Sequence, residues 1–201
     1  TATFERIIGR ENDIALLCEL LLEPGTRLVT LTGIGGTGKT TLSRAVAGRV
    51  LPKFKDGVFF IEMADVSRPE VVAATIAQPL GIKEEAGRPV IDLLKDHLSN
   101  KEMLLVIDNF EQVIDAAPQI AALLTDTATL KVLVTSRELL RLTAEVEYQV
   151  PPLSLPETKG KPFEELRENE AIMLFAERAS AARLFSNTRE YHRRCGDLFP
   201  A

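Results

Sequence analysis

Short apolar runs alternate with segments of helical periodicity along most of the chain. The apolar runs predict strands over 28–32, 58–61, 104–107 and 131–135, and 146–150 is the candidate for a fifth strand. Apolar residues at helical spacing predict helices over 11–22, 40–50, 69–78, 89–98 and 110–124. Strands that alternate with helices form a parallel sheet with both faces covered. The pattern therefore predicts an α/β fold, with a five-stranded parallel sheet as the middle of three α/β/α layers.

A proline-rich stretch interrupts this pattern. Three prolines lie between positions 151 and 156, and proline continues neither a helix nor a central strand. Helical periodicity then resumes over 169–184 and 188–195. We therefore expect one domain over 1–155, which includes the N-terminal helix, and the beginning of a helical subdomain over 156–201.

Composition narrows the class of protein. Of the 201 residues, 45% are apolar, which is enough for a core, and the net charge of −5 without a long basic run argues against direct nucleic-acid binding. No apolar stretch is long enough to span a membrane, and the first residues do not resemble a secretion signal. Cys18 and Cys195 are isolated, as are His97 and His192, which argues against a structural zinc site. We expect a soluble cytoplasmic protein with free thiols.

The segment GIGGTGKT at 33–40 matches GxxxxGK[ST] at every fixed position, between a predicted strand and a predicted helix. Glycines let the backbone curl around phosphate oxygens, and the helix N-terminus adds partial positive charge. A turn without a ligand is the alternative, whereas a Rossmann loop lacks the GK[ST] ending. We expect ATP or ADP with Mg²⁺ here, bound by Gly33, Gly35, Gly36, Thr37, Gly38, Lys39, Thr40 and Thr41. Within this set, Lys39 is expected to reach the β- and γ-phosphates and Thr40 to contact Mg²⁺.

Asp108 follows four apolar residues, at the expected end of a buried strand. Ligands of open α/β sheets gather at the carboxyl ends of the strands. We assign Asp108 to Mg²⁺ together with Thr40, through water, because Mg²⁺ keeps several of its waters. The alternative is a solvated aspartate that caps the next helix.

Asn109 stands where many P-loop ATPases carry the carboxylate that activates water. An amide takes up no proton at neutral pH, so we expect slow hydrolysis. Glu111 is the candidate substitute for this base, and the competing interpretation is a favourable charge in the first turn of a helix.

Arg137 follows the fourth predicted strand, in the segment TSR at 135–137. A guanidinium at that strand end lies near the γ-phosphate position and can sense whether this phosphate is present. The alternative is a surface arginine that pairs with Glu138.

Together these segments resemble the NB-ARC-like domains of the STAND class of P-loop NTPases. Such domains occur in bacterial transcriptional regulators, plant disease-resistance receptors and the apoptosome scaffold protein. The resemblance rests on IIGRE at 7–11, the P-loop, LLVIDNFE at 104–111, VLVTSRE at 132–138, VPPLSLP at 150–156 and the helix that opens at 169–175.

The resemblance implies several properties. Ile8 and Arg10 would lie against the adenine and ribose; taken alone, they predict a hydrophobic staple and a first-turn surface charge. ADP would hold a closed resting form, and exchange for ATP would promote homo-oligomers. An effector domain would precede residue 1 and a sensor would follow residue 201. The family's GLPL motif has only a loose counterpart at 196–201, which implies a truncated subdomain or a missing adenine contact.

Two other functions compete with this ATP/ADP switch. An ordinary ATP-hydrolysing enzyme or AAA+-type motor needs an acceptor site or a trans-acting arginine with a strong base, and the sequence offers no clear candidate. GTP signalling needs an [NT]KxD guanine reader; NKEM at 100–103 has Met103 in place of the aspartate. A regulatory switch with slow Mg²⁺-dependent hydrolysis remains the prediction.

Overall fold

A computed structural model describes residues 7–153 and 169–181, with side chains up to 176 in the second range. The chain divides into two compact units, 1–151 and 152–201, which are described separately below. The helix predicted over 188–195 lies outside the described residues.

The first unit is built on a sheet of five parallel strands, as predicted. The strands are β1 (Leu28–Thr32), β2 (Val58–Glu62), β3 (Leu104–Asp108), β4 (Lys131–Thr135) and β5 (Glu145–Gln149). Every pairing is parallel, and the order across the sheet is β2-β3-β4-β1-β5. This order places β4 between β1 and β3, so the carboxyl ends of these three strands lie side by side.

Helices cover both faces of this sheet. They are α1 (Glu11–Leu22), α2 (Lys39–Val50), α3 (Val72–Ala77), α4 (Val90–Leu98) and α5 (Ala117–Asp126). On β1, Val29 and Leu31 pack with α1 and α2, whereas Leu28 packs with α3, α4 and α5. Successive side chains of a strand point to opposite faces, so the continuous apolar runs serve two cores. The predicted α/β/α layering is confirmed.

The helix predicted over 110–124 is divided in the structure. Residues Phe110–Ala116 form 3-10 turns that meet at a non-helical Val113, and α5 begins only at Ala117. Pro118 explains the division, because its ring is compatible with the first turn of a helix and not with its interior. The helix predicted over 69–78 likewise begins with a 3-10 turn, Pro69–Val71.

In the second unit the structure describes one helix, α6 (Glu170–Ala181). The Asn169 side chain caps it by accepting hydrogen bonds from the N–H groups of Ala171 and Ile172 at 3.0 and 3.4 Å. This start agrees with the sequence prediction within one residue. Across both described ranges, no helix is long and apolar enough to cross a membrane.

Candidate functional site

The glycine-rich loop connects β1 to α2 at the carboxyl edge of the sheet. Gly38 has φ 88°, in the left-handed region that favours glycine, and the helix begins directly after it. The first backbone hydrogen bond of α2 runs from the N–H of Leu42 to the carbonyl of Gly38, at 2.9 Å. The N–H groups of Lys39, Thr40 and Thr41 therefore precede the hydrogen-bonded part of the helix. Such a helix start attracts anions.

Close packing against the end of β5 positions the start of this loop. A Cβ atom on Gly33 would lie 3.0 Å from the carbonyl oxygen of Val150 and 3.2 Å from Oγ1 of Thr37. Any larger residue would push the loop away from the sheet. Gly33 is therefore required both by space and by its φ of 146°, whereas Gly38 has open space around it and is required by its backbone conformation alone.

Lys39 lies across the loop with only 8% of its surface exposed. Its ammonium donates hydrogen bonds to the carbonyls of Gly33 and Ile34, at 2.7 and 3.1 Å. Within the described ranges Lys39 forms no ion pair with a carboxylate. A buried cation with only neutral partners is costly, and a phosphate group would supply the missing negative charge.

Asp108 lies opposite the start of α2, at the end of β3, and is 3% exposed. The hydroxyl of Thr40 lies 2.9 Å from both of its carboxylate oxygens. Asp108 also forms no ion pair in the part of the chain that is described, so its charge is available to a cation. One carboxylate and one hydroxyl suit Mg²⁺, which would take its remaining ligands from waters and phosphate oxygens.

Thr135, at the end of β4, connects Asp108 to the turn that follows it. Its hydroxyl donates to Oδ1 of Asp108 and accepts the N–H of Asn109 at 3.0 Å. It thereby uses both hydrogen-bonding functions of the hydroxyl to orient the carboxylate. The sequence prediction gave a role to Arg137 and none to Thr135. A threonine at the end of a buried strand was the feature that could have indicated this role.

We predict that Thr135→Val lowers the free energy of unfolding by about 1–3 kcal/mol, because the N–H of Asn109 loses its acceptor and Asp108 loses a donor. Urea denaturation measures this change. Thr125→Val is the matched control, since Thr125 is exposed on α5 and its hydroxyl bonds only within the helix. Equal effects of the two substitutions would contradict the bridging role.

Asn109 turns the chain sharply after Asp108. It has φ 61° and ψ 40°, a left-handed conformation that asparagine tolerates better than most residues. The turn brings Glu111 back toward β4, where its Oε1 lies 3.2 Å from Nε of Arg137. Asp108 thus caps no regular helix. Glu111 does lie in the first turn of the 3-10 segment, as its competing interpretation expected, but only 11% of its side chain is exposed.

Arg137 is exposed, which agrees with the alternative interpretation as a surface arginine. Its ion-pair partner, however, is Glu111 and not Glu138. Nη2 of Arg137 lies 3.9 Å from the position of a Cβ atom on Gly35. The guanidinium therefore stands beside the phosphate loop. Its action as a γ-phosphate sensor remains a prediction.

Arg10 lies on the other side of the loop and is not the surface charge that its position alone predicts. Its side chain is 8% exposed and pairs with Asp13 at 2.9 Å. Nη2 donates to the carbonyls of Thr37 and Pro151, at 3.1 and 2.6 Å. Ile8, two residues before Arg10, is partly buried and belongs to neither of the two apolar cores on the faces of the sheet. Adenine contacts of Ile8 and Arg10 stay predictions.

Tyr148 of β5 completes the polar network around Arg10. Its hydroxyl donates to Oδ1 of Asp13. Burial, followed by this hydrogen bond, raises the pKa of Tyr148 to about 12. The structure thus ties α1, the phosphate loop and the chain leaving β5 together through Arg10, Asp13 and Tyr148.

We predict that Tyr148 ionises near pH 12 in the folded protein, which ultraviolet absorbance of phenolate measures. The Tyr148→Phe variant supplies the baseline, because only Tyr191 then remains. A raised pKa means that the folded state holds the proton more tightly than the unfolded state. Its stabilisation is complete below pH 10 and is lost as the pH rises through 12. Ionisation of Tyr148 near pH 10 would contradict the buried hydrogen bond.

The sequence of this chain is similar to a protein family and to several longer proteins. The family model described as NB-ARC domain matches residues 10–182. A candidate HTH-type transcriptional regulator of Mycobacterium tuberculosis is 37% identical over 155 residues, which are 77% of this chain and 16% of the relative. The regulatory protein AfsR of Streptomyces griseus is 34% identical over 133 residues, covering 57% of this chain and 13% of AfsR. The matched part of the chain thus spans about 13–16% of the length of these regulators.

Among solved structures, the ORC2 protein of Aeropyrum pernix, in complexes with ADPNP and ADP, aligns with a TM-score of 0.52 and 15% identity. The alignment covers 72% of this chain and 50% of that protein, and it supports the predicted P-loop ATPase fold. The motif resemblance is confirmed by a family match that spans the loop, the Asp108 strand and the Arg137 segment. The chain belongs to the NB-ARC domain family.

Proposed function

We propose that this domain is the nucleotide-binding switch of a regulatory protein, which binds ADP or ATP with Mg²⁺ and hydrolyses ATP slowly. The observation that carries the proposal is the juxtaposition of Lys39, Thr40 and Asp108. Among the described residues, Lys39 is a buried cation without a counter-ion, and Asp108 is a buried carboxylate without a counter-ion, 2.9 Å from the Thr40 hydroxyl. A nucleotide with its magnesium ion satisfies both charges.

Each group has a distinct task in this proposal. Lys39 and the N–H groups at the start of α2 bind phosphate oxygens, and Thr40 and Asp108 hold the metal. When bound, Mg²⁺ supplies Lewis-acid stabilisation of charge on the phosphates. Arg137, beside Gly35, responds to the γ-phosphate. This division assigns binding to the loop and discrimination between ATP and ADP to β4.

The residue after Asp108 supports slow hydrolysis in this proposal. Asn109 supplies an amide, which accepts no proton, and its backbone is fixed in a left-handed turn. A low rate suits a switch whose state must persist while γ-phosphate is sensed. An ordinary ATPase or AAA+-type motor would instead turn over near the enzyme median of about 10 s⁻¹, which a steady-state assay distinguishes.

The relatives support a proposal for the wider role of the protein. Those relatives are much longer and include named regulators, so we propose that effector and sensor domains accompany this domain and that ATP promotes homo-oligomers. A cytoplasmic location belongs to the same proposal, because ATP is available there and Cys18 forms no disulfide within the described part of the chain.

The first experiment is to purify the protein without added nucleotide, denature it and identify the released compounds by chromatography and mass spectrometry. We expect stoichiometric ADP. The Lys39→Ala variant, purified in parallel, is expected to release none. An empty wild-type protein that also fails to bind ATP or ADP in a titration with Mg²⁺ would overturn the proposed function.

A further inference from the structure

The ion pair between Glu111 and Arg137 joins two side chains with very different surroundings. Glu111 is 11% exposed, and Arg137 is 66% exposed. Oε1 of Glu111 lies 3.2 Å from Nε of Arg137, and Oε2 is buried without a partner among the described residues. One partner is therefore held in place by packing, and the other is a long side chain that has freedom to move.

Removal of the arginine would leave Glu111 as an uncompensated buried anion. That outcome is costly, because a carboxylate taken out of water needs a positive or hydrogen-bonding partner. Conversely, an exposed arginine without a partner loses rotamer freedom whenever it is ordered by a ligand. The pair relieves both problems, and it orders Arg137 before any ligand binds.

The opposite side of the same guanidinium lies over the phosphate loop. Nη2 is 3.9 Å from the position of a Cβ atom on Gly35, while Nε is the atom of the ion pair with Glu111, 3.2 Å from Oε1. A guanidinium has five N–H donors in one rigid plane. Contact with Glu111 through Nε therefore leaves the Nη donors available on the side of the loop, so Arg137 can hold both partners at once.

We propose that Glu111 is a positioning residue, which orients Arg137 toward the γ-phosphate side of the loop, and is not the base that activates water. This inference rests on the proposed function and assigns the ATP/ADP discrimination to the Glu111–Arg137 pair instead of to Arg137 alone. The left-handed turn at Asn109 brings Glu111 next to Arg137.

The two roles of Glu111 have different consequences for binding and for chemistry. A base acts on water during hydrolysis and leaves the relative affinity for ATP and ADP unchanged. A positioning residue changes that relative affinity through Arg137. Glutamine separates them further, because its carbonyl can accept a hydrogen bond from a guanidinium N–H of Arg137 but takes up no proton.

The test is a calorimetric titration of the protein, in Mg²⁺, with ADP and with a non-hydrolysable ATP analogue. We expect Arg137→Ala and Glu111→Ala each to lower the preference for the ATP analogue by about 2- to 12-fold, the range for ordering one flexible side chain. The double variant should show no further loss beyond about twofold. Glu138→Ala is the matched control, because Glu138 is an exposed carboxylate next to Arg137 in sequence.

The conservative variant decides between the roles. Glu111→Gln should keep the wild-type preference for the ATP analogue and the wild-type hydrolysis rate, whereas loss of a general base lowers that rate by about 10²- to 10⁴-fold. Thermal unfolding of the nucleotide-free variants checks that each is folded, and Glu111→Gln remains informative if Glu111→Ala does not fold.

Three results would contradict the inference. One is a wild-type preference in Glu111→Ala while Arg137→Ala has lost it; another is additive losses in the double variant; the third is a Glu111→Gln variant that binds normally and no longer hydrolyses ATP. A wild-type protein that binds neither nucleotide would instead overturn the proposed function and this inference together.

Discussion

Replacement of Lys39 by alanine is expected to weaken binding of ATP and ADP by at least about 100-fold. The reason is that Lys39 is a buried cation whose present partners are the neutral carbonyls of Gly33 and Ile34. Hydrogen bonds to charged groups contribute about 1.5–3 kcal/mol each, and about 1.4 kcal/mol is tenfold in affinity. Two such bonds to phosphate oxygens account for the expected loss.

Titration calorimetry with each nucleotide in Mg²⁺ measures this effect. Lys39→Met is a second variant that retains the apolar stem, so that a change in loop packing is separated from the loss of charge. Lys53→Ala is the matched control, because Lys53 is exposed beyond the far end of α2. An affinity for ATP that stays within about threefold of wild type in Lys39→Met would refute the assignment of this loop to phosphate.

Replacement of Asp108 by asparagine is expected to abolish the dependence of ATP binding on Mg²⁺ and to lower hydrolysis by about 100-fold or more. Asparagine has the shape of aspartate, and its carbonyl still accepts the hydrogen bonds from Thr40 and Thr135. The fold is therefore retained while the negative charge is lost. In the presence of EDTA the affinity for ATP should rise, because a carboxylate that repels the phosphates has been removed.

Binding measured with Mg²⁺ and with EDTA gives the metal dependence directly. Asp115→Asn is the control, since Asp115 is exposed on the 3-10 segment that follows β3. Retention of the full Mg²⁺ effect in Asp108→Asn would show that the metal is held elsewhere. Unchanged binding in Mg²⁺ with slow hydrolysis alone would point to a role for Asp108 in chemistry without metal contact.

The predicted elements of the first unit correspond closely to the observed ones, and the exceptions have local causes. Strands β1 to β4 follow apolar runs, because strands that contact a core on each face need apolar side chains in both directions. The edge strand β5 has the sequence EVEYQ and is only partly buried. The helix predicted over 110–124 was wrong in its first half. Apolar periodicity continues through that segment, but Pro118 restricts the start of α5 and Asn109 begins a left-handed turn.

Some residues of the candidate site could be identified from local sequence patterns, and others could not. Lys39 and Thr40 belong to one contiguous strand-loop-helix segment, and its glycines and lysine have a recognisable spacing. Asp108 ends an apolar run, so its place at the sheet edge also follows from a local pattern. These residues were found without knowledge of which strands are neighbours.

Contacts between separate segments were not predictable in this way. Thr135 reaches Asp108 because β4 lies between β1 and β3, and nothing in the local pattern specifies that order. Arg10 becomes buried only because the carbonyls of Thr37 and Pro151 converge on it. In both cases a polar side chain finds partners that are remote in sequence.

By itself, the sequence determined that this protein has a parallel α/β sheet, a phosphate loop and an acidic residue at the end of a strand. Hydrophobic periodicity and backbone requirements act over a few residues, so they are readable from the chain. The tertiary structure alone decided that Glu111 pairs with Arg137, that Thr135 orients Asp108 and that Arg10 is buried. Those outcomes depend on strand order and on the desolvation of charges, which arise only when the segments pack together.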